Sequence, residues 1–386
     1  MTGYQYLIVG GGMTADAAAK AIRAADANGS IGIIASEPHP PYARPPLSKS
    51  LWKGESEDTV WKHTETANVD LQLGRRVTAI DPGKKIVTDD RRSAISYDKL
   101  LLATGGTPRR LPLPSQQIIY YRTYDDYRRL RALANEKLKF LVLGGGFIGS
   151  EVAAALRMAG RDVTMLIPEA GIGARVYPAD LSRFLVDYYR EQGVDVRTGE
   201  GLASLTQSAG KVVVKTTRGD EIPVDVIVAG LGIQPNVDIA EQAGVHVENG
   251  IVVDEMLRTN VPDIFAAGDV ANFYNPQLGT RIRVEHEDNA NSMGAAAGKS
   301  MAGQGAPYTH LPFFYSDLFQ LGYEAVGELD PRLETEADWK DPFREGVVYY
   351  LKDGRVRGVL LWNTWGQVDN ARALIGHAGH LVGGTG

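Results

Sequence analysis

A chain of 386 residues, 44% hydrophobic and 23% charged, is long enough for several cores and too ordinary in composition to be a disordered or collagen-like protein. Its 41 basic and 47 acidic residues leave a net charge of -6, which argues against a nucleic-acid-binding footprint, and no apolar run reaches the length of about 18 residues that a bilayer span needs. Cysteine is absent, so disulfides, thiolate metal sites, iron-sulfur ligation and thiol relays are excluded and the chemistry falls to an organic cofactor or to ordinary side chains.

The opening MTGYQYLIVG goes straight into a strand, without a basic and then apolar signal segment, and the expected location is the cytoplasm. Tyr6 to Val9, YLIV, has the short apolar run of a buried parallel strand, and Gly10, Gly12 and Ala15 follow it in the GxGxxG/A spacing. The spacing predicts a tight turn that lets the backbone approach a pyrophosphate, and then a helix from Met13 to about Ala25 whose positive end faces that anion. A second strand, Ile31 to Ile34, leads to Glu37, placed to accept from a ribose hydroxyl. Glycine turns after strands are common, so the motif alone could be only a turn; strand, helix, second strand and acid together predict a dinucleotide cradle.

Further along, LLATGGTPRR is a strand running into a small-residue turn, which brings Ala103, Thr104 and Gly105 to the edge of that cradle. YYRTYDDYRRLRAL reads as a solvated amphipathic helix with Tyr and Leu on its packed side. The chain then repeats the whole fingerprint: strand KFLVL, Gly144, Gly146 and Gly149 with Phe147 and Ile148 between them, a helix from Ile148 to Met158, strand DVTMLI, and Glu169 beyond Pro168. Two complete fingerprints mean two dinucleotides. Glu169, with no arginine cluster beside it, favours a free 2'-hydroxyl and hence NADH over NADPH, although Arg175 lies close in sequence and a solvated loop carboxylate is the plain alternative. Gly232 is grouped with this second, NAD cradle. After Ile264, FAAGDVANF is again a strand entering a turn; Asp269 is positioned for the ribityl hydroxyls of a flavin, or else forms an Asx turn. No Ser/His/Asp spacing or metal-ligand cluster rises above chance, the seven histidines are scattered, and no metal is expected.

At these residues the sequence resembles the FAD-dependent pyridine nucleotide reductases that lack a redox cysteine pair: the ferredoxin, rubredoxin and putidaredoxin reductase group together with apoptosis-inducing factor. PPYARPPLSKSLW (Pro40 to Trp52) is similar to that group's flavin-contact loop, GGGFIGSE to its NAD turn, and AAGDV to its ribityl motif. LIPEAGIGARVYPADLS, VEHEDNANSMGAAAGKSMAG and FFYSDLFQLGYEAVGEL bring it nearest to apoptosis-inducing factor and its prokaryotic relatives, and the last of these, with GVLLWNTWGQVDNARALI, is typical of the family's small C-terminal domain. It departs from the family in three ways: Tyr315 stands where Trp is common, Ile167 stands where many ferredoxin reductases carry the ribose acid, and no mitochondrial targeting extension is present.

The resemblance implies FAD and NAD(H) as cofactors and a lysine-glutamate pair at the flavin, Lys49 and Glu151, with a surface lysine and a first-turn glutamate as the alternative. Arg44 is expected at the FAD pyrophosphate, or else on solvent, while Pro45 and Pro46 stiffen its loop. Glu285 and His286 precede an alanine-rich helix, Asn289 to Met301, whose N-terminus would face the reduced flavin. His286 either lines the pocket or is only a cap or a packing residue at this helix start, and Tyr315 either stacks on the flavin or is a core aromatic.

The expected fold is α/β, with two nested Rossmann-like dinucleotide-binding domains and a small α+β C-terminal domain. The FAD domain takes residues 1–113 and 244–308, because AAGDV must return to the first sheet; the NAD(H) domain takes 114–243, and residues 309–386 cover the flavin and supply an interface. The expected function is NADH oxidation through bound FAD, with electrons passed to a ferredoxin- or rubredoxin-type protein, or to a quinone, dioxygen or a dye. The alternative is a redox-gated interaction protein of the apoptosis-inducing-factor kind, with slow NADH oxidase or quinone and dye reductase activity. A homodimer is the candidate assembly.

Overall fold

The computed structural model describes residues 2–113, 118–208 and 211–378; the expected boundary at 113/114 adjoins residues outside that range, as does the end of the C-terminal domain. The chain divides into two compact units. One comprises Met1–Arg44, Glu57–Thr107 and Gln234–Phe313; the other comprises Pro45–Ser56, Pro108–Ile233 and Phe314–Gly386.

In the first unit Tyr6, Leu7, Ile8 and Val9 are all buried, because this half of the strand Thr2–Val9 is covered on both faces, whereas exposed Gly3 and Gln5 alternate with buried Tyr4 and Tyr6 before it. It pairs in parallel with Ile31–Ile34 on one side, Val9 opposite Ile34, and with Ala94–Leu102 on the other, Val9 opposite Leu102. Ala94–Leu102 changes partner along its length: Ala94 to Ser96 run antiparallel to Ile86–Asp89, and Leu100 to Leu102 run parallel to Ile264–Ala266. The chain thus leaves this sheet and returns to it more than a hundred residues later, which is the nesting that AAGDV predicts. Helix Met13–Ala25 packs on helix Glu287–Met301 through small residues: a β-carbon added at Gly294 or Gly298 would lie 2.5 Å from the Thr14 carbonyl or 2.4 Å from that of Ala18. The expected alanine-rich helix therefore begins two residues earlier than Asn289, at Glu287.

The second unit holds a five-stranded parallel sheet in the order Asp195–Thr198, Asp162–Ile167, Lys139–Leu143, Val226–Ala229 and Ile118–Tyr120. Helices Phe147–Met158 and Ala179–Glu191 belong to it. Helix Tyr124–Leu133 starts at a capping box, in which Thr123 Oγ1 accepts from the Asp126 amide at 3.2 Å and the Asp126 carboxylate accepts from the Thr123 amide at 2.8 Å. Tyr124, Tyr127 and Leu130 are its buried face, as the periodicity predicts.

The C-terminal part of this unit is a five-stranded sheet, Phe313–Leu318, Leu321–Gly327, Arg355–Trp362, Glu345–Lys352 and Glu334–Asp341 in spatial order, followed by helix Val368–Leu374. The Tyr323 ring stacks on Trp362 with centroids 5.7 Å apart, and both side chains are fully buried. The segment Pro45–Ser56 is no open loop: it forms short 3-10 turns at Pro45–Ser48 and Ser50–Lys53, where the prolines set the backbone angle that a first turn requires.

Candidate functional site

The first cradle forms where strand Thr2–Val9 ends. Gly10 has φ +118°, and a β-carbon there would sit 2.1 Å from the Ala103 carbonyl, so only glycine lets these two strand ends come together. Gly12 is the N-cap of helix Met13–Ala25; no side chain caps the helix, and a β-carbon on Gly12 would meet nothing within 4 Å. No side chain therefore competes with an anion for this helix start, and the space beside Gly12 is open. Ala15, fully buried, keeps the helix close to the sheet. Thr104 and Asn236 bond reciprocally, Thr104 Oγ1 to the Asn236 carbonyl at 2.7 Å and Asn236 Nδ2 to the Thr104 carbonyl at 2.8 Å, while the Asn236 amide donates to the Gly105 carbonyl at 2.9 Å. Asn236 carries no motif signal and is not predictable from sequence.

Glu37 and Arg44 meet. Arg44 Nη2 donates to Glu37 Oε1 at 2.6 Å, the Tyr42 hydroxyl donates to Glu37 Oε2 at 2.5 Å, and Arg44 Nη1 reaches the Tyr42 oxygen at 3.1 Å. The two residues expected at ribose and at pyrophosphate are therefore joined by a tyrosine that sequence reasoning passed over. Asp269 lies in the 3-10 turn Gly268–Val270, and Arg283 Nη1 ties that turn to Glu285, donating to the Asp269 carbonyl at 3.0 Å and to Glu285 Oε1 at 2.6 Å. His286 occupies the N-cap of helix Glu287–Met301, yet its ring makes no capping bond, which removes the capping explanation for an imidazole there.

The second cradle repeats the first. Gly144 has φ +96°, a β-carbon on Gly149 would lie 2.1 Å from the Gly144 carbonyl, and Gly146 is an N-cap with no side-chain bond and nothing within 4 Å of an added β-carbon. Phe147 packs edge-on against Phe314 with centroids 5.5 Å apart, and Ile148 is exposed. Glu169 Oε1 pairs with Arg175 Nη2 at 2.5 Å. Gly232, with φ +77°, accepts from the Arg109 amide through its carbonyl at 2.9 Å.

In the same unit Lys49 Nζ lies 2.8 Å from Glu151 Oε1, and only 2% of the Glu151 side chain is exposed. Two hydroxyls complete the carboxylate: Ser316 Oγ donates to Oε1 at 2.6 Å and Ser48 Oγ to Oε2 at 2.5 Å. The ammonium also stands 5.2 Å from the centroid of the Tyr315 ring. Burial above all pushes the Tyr177, Tyr189 and Tyr323 phenols up, with the Glu151 carboxylate a smaller cause in each, so they remain neutral and Lys49 is the cation paired with Glu151. A buried ion pair seldom adds net stability, so its retention here points to a task. The surface-lysine alternative fails, and Ser48 and Ser316, which lie within the quoted motifs but are not singled out by them, belong to the cluster.

The fold and these two open, glycine-lined helix starts define a protein that takes two dinucleotides. Residues 4–294 match the family described as Pyridine nucleotide-disulphide oxidoreductase, and residues 297–341 and 334–377 match Apoptosis-inducing factor, mitochondrion-associated, C-term. The sequence is 34% identical to apoptosis-inducing factor 1, mitochondrial, of Dictyostelium discoideum, covering 96% of this chain and 78% of that one. It is 36% identical to the ferredoxin--NAD(+) reductase component of the anthranilate 1,2-dioxygenase system of Burkholderia cepacia, covering 97% and 95%. Among solved structures, the covalent putidaredoxin reductase-putidaredoxin complex superposes with a TM-score of 0.91 at 31% identity, covering 97% of this chain and 94% of that one. The chain belongs to the pyridine nucleotide-disulphide oxidoreductase family. It is a flavin-dependent NAD(P)H oxidoreductase whose cofactors are FAD and NAD(H), and its sequence, without cysteine, carries no redox disulphide of its own.

Proposed function

We propose that the protein oxidises NADH and passes the electrons to a ferredoxin- or rubredoxin-type iron-sulfur protein in the cytoplasm. Bound together, the cofactors supply hydride transfer from nicotinamide to flavin and one-electron steps onward. The observation that carries the reading is the pair of uncapped helix starts at Gly12 and Gly146, each beside open space. The similarity to reductase components whose names include ferredoxin supports the choice of acceptor.

In this reading the FAD domain is residues 1–113 and 244–308, the NAD(H) domain 114–243, and the C-terminal domain 309–386. Gly10, Gly12, Ala15 and the Ala103 to Gly105 turn hold FAD with Asp269, Glu285 and His286, and the Arg44-Glu37 pair fixes the pocket's polar end. Gly144, Gly146 and Gly149 hold the NADH pyrophosphate, with Phe147, Ile148 and Gly232 around it and Glu169 for the ribose. Lys49, oriented by Glu151, would supply a hydrogen-bond donor to bound FAD, and Tyr315, whose ring faces that ammonium, would supply an aromatic surface beside it. Steady-state turnover with NADH and NADPH against a panel of ferredoxins, rubredoxins, quinones and dioxygen tests the proposal: rapid NADH-dependent reduction of an iron-sulfur protein is expected, and slow turnover with every acceptor overturns it.

The match of the C-terminal sheet to the apoptosis-inducing-factor segment favours a second reading, a redox-gated interaction protein in which reduction changes dimerisation or partner binding. Sedimentation with and without NADH separates the two, because only the second predicts a change of assembly with slow turnover.

A further inference from the structure

At the carboxyl end of the parallel sheet in the second unit, residues 199 and 200 are tied to the segment that carries Glu169: the Gly199 amide donates to the Glu169 carbonyl at 2.8 Å and the Glu200 amide to the Ile167 carbonyl at 3.1 Å. Glu200 is 97% buried at 3% relative exposure, and its Oε1 has no hydrogen-bond partner. Such a carboxylate is costly to keep. Two arginines gather at this end of the sheet: Arg175, 83% exposed and paired with Glu169, and Arg218, whose Nη2 donates to the Thr198 and Gly199 carbonyls at 2.9 and 3.4 Å. Two guanidiniums against the single carboxylate of Glu169 would form a phosphate-binding set.

We propose that Glu200 is a specificity-determining residue that neutralises this set and makes the cradle choose NADH over NADPH. It acts through its field rather than by touching the nucleotide. Because it is buried, its charge is little screened by salt, and it opposes the attraction that Arg218, left over once Arg175 has paired with Glu169, would otherwise exert on a 2'-phosphate. Glu169 alone cannot do this, since its charge is already spent on Arg175. The adenosine ribose keeps its hydroxyl partner at Glu169 while the extra phosphate gains nothing.

The inference rests on the reading of the Gly144 to Glu169 region as the NADH cradle, and calorimetric titration of the FAD-loaded protein with NADH and with NADPH separates the failure of one from the failure of the other. If the wild type binds neither nucleotide, the cradle reading fails. If it prefers NADH, Glu200→Gln is expected to narrow the NADH-to-NADPH affinity ratio about fivefold or more, chiefly by tightening NADPH, with flavin content unchanged. Arg218→Gln, a surface change that leaves the core alone, is expected to widen the ratio, and this second variant keeps the test decisive should Glu200→Gln fail to fold. A ratio unmoved in the folded variants overturns the proposal and leaves Glu200 as packing alone.

Discussion

Lys49 shows how a single side chain acquires a role from its neighbours. An exposed lysine makes a weak, screened ion pair, but this one is held by a carboxylate whose two oxygens are also occupied by Ser48 and Ser316, so its position is set to within hydrogen-bonding tolerance. Replacing Lys49 by Met is expected to slow flavin reduction by NADH about tenfold or more in stopped-flow measurements while FAD stays bound, and an unchanged rate would take the lysine out of the mechanism. Glu151→Leu leaves the ammonium and two hydroxyls buried without their acceptor. A loss of about 3–5 kcal/mol in denaturant unfolding is expected, larger than for Glu151→Gln, which keeps an acceptor oxygen.

At the same scale, Asp263 bonds to Lys85 at 2.5 Å and also to Lys99, and these bonds hold its carboxyl below the usual range. A carboxyl whose pKa is lower in the folded state contributes stability that is fully present above its ordinary value of about 4 and is lost as the pH falls through the lower, folded value. Asp263→Asn should therefore be less stable at neutral pH and should lose less stability between about pH 5 and pH 2, as thermal melts across that interval will show.

Among the elements, the contact between helices Met13–Ala25 and Glu287–Met301 is set by two missing side chains. Gly298→Val places a methyl against the Ala18 carbonyl, where the β-carbon alone would already stand at 2.4 Å. The helix that begins at Gly12 must then shift, and a destabilisation of about 1–3 kcal/mol with partial loss of flavin is expected, measurable by thermal melting and by absorbance after gel filtration. A variant that keeps wild-type melting and full colour would show that the helices have slack the packing does not reveal. Polar-apolar periodicity predicts such elements well: the helix beginning at Tyr124 buries the face its Tyr and Leu spacing marks. It does not reveal that PPLS and SLWK turn into 3-10 segments gathered with the second unit, because their partners are remote in sequence; Ser48 and Glu151 are 103 residues apart.

For the whole molecule, each unit carries its own buried core and its own glycine turn, and this makes the two cofactors separable by mutation. Gly10→Val should yield protein without flavin colour that still binds NADH in calorimetry, and Gly149→Val the reverse, since each β-carbon would fall 2.1 Å from a backbone carbonyl inside its own cradle. Loss of both cofactors in both variants would contradict the independence of the cradles.

What the sequence determined by itself is what short-range physics encodes. An apolar run, glycines where a β-carbon cannot fit and a helix that starts without a cap are contiguous, so GGGMTA and GGGFIG are legible as two cradles without any coordinates. The tertiary structure decided what depends on groups far apart in the chain: that Arg44 turns to Glu37 through Tyr42, that two serines complete the Glu151 site, and that Glu200 is buried with its Oε1 unbonded next to the backbone that Arg218 holds. No local pattern marks such residues, because the energy of a buried polar atom is set by the atoms that surround it, and folding alone brings these together.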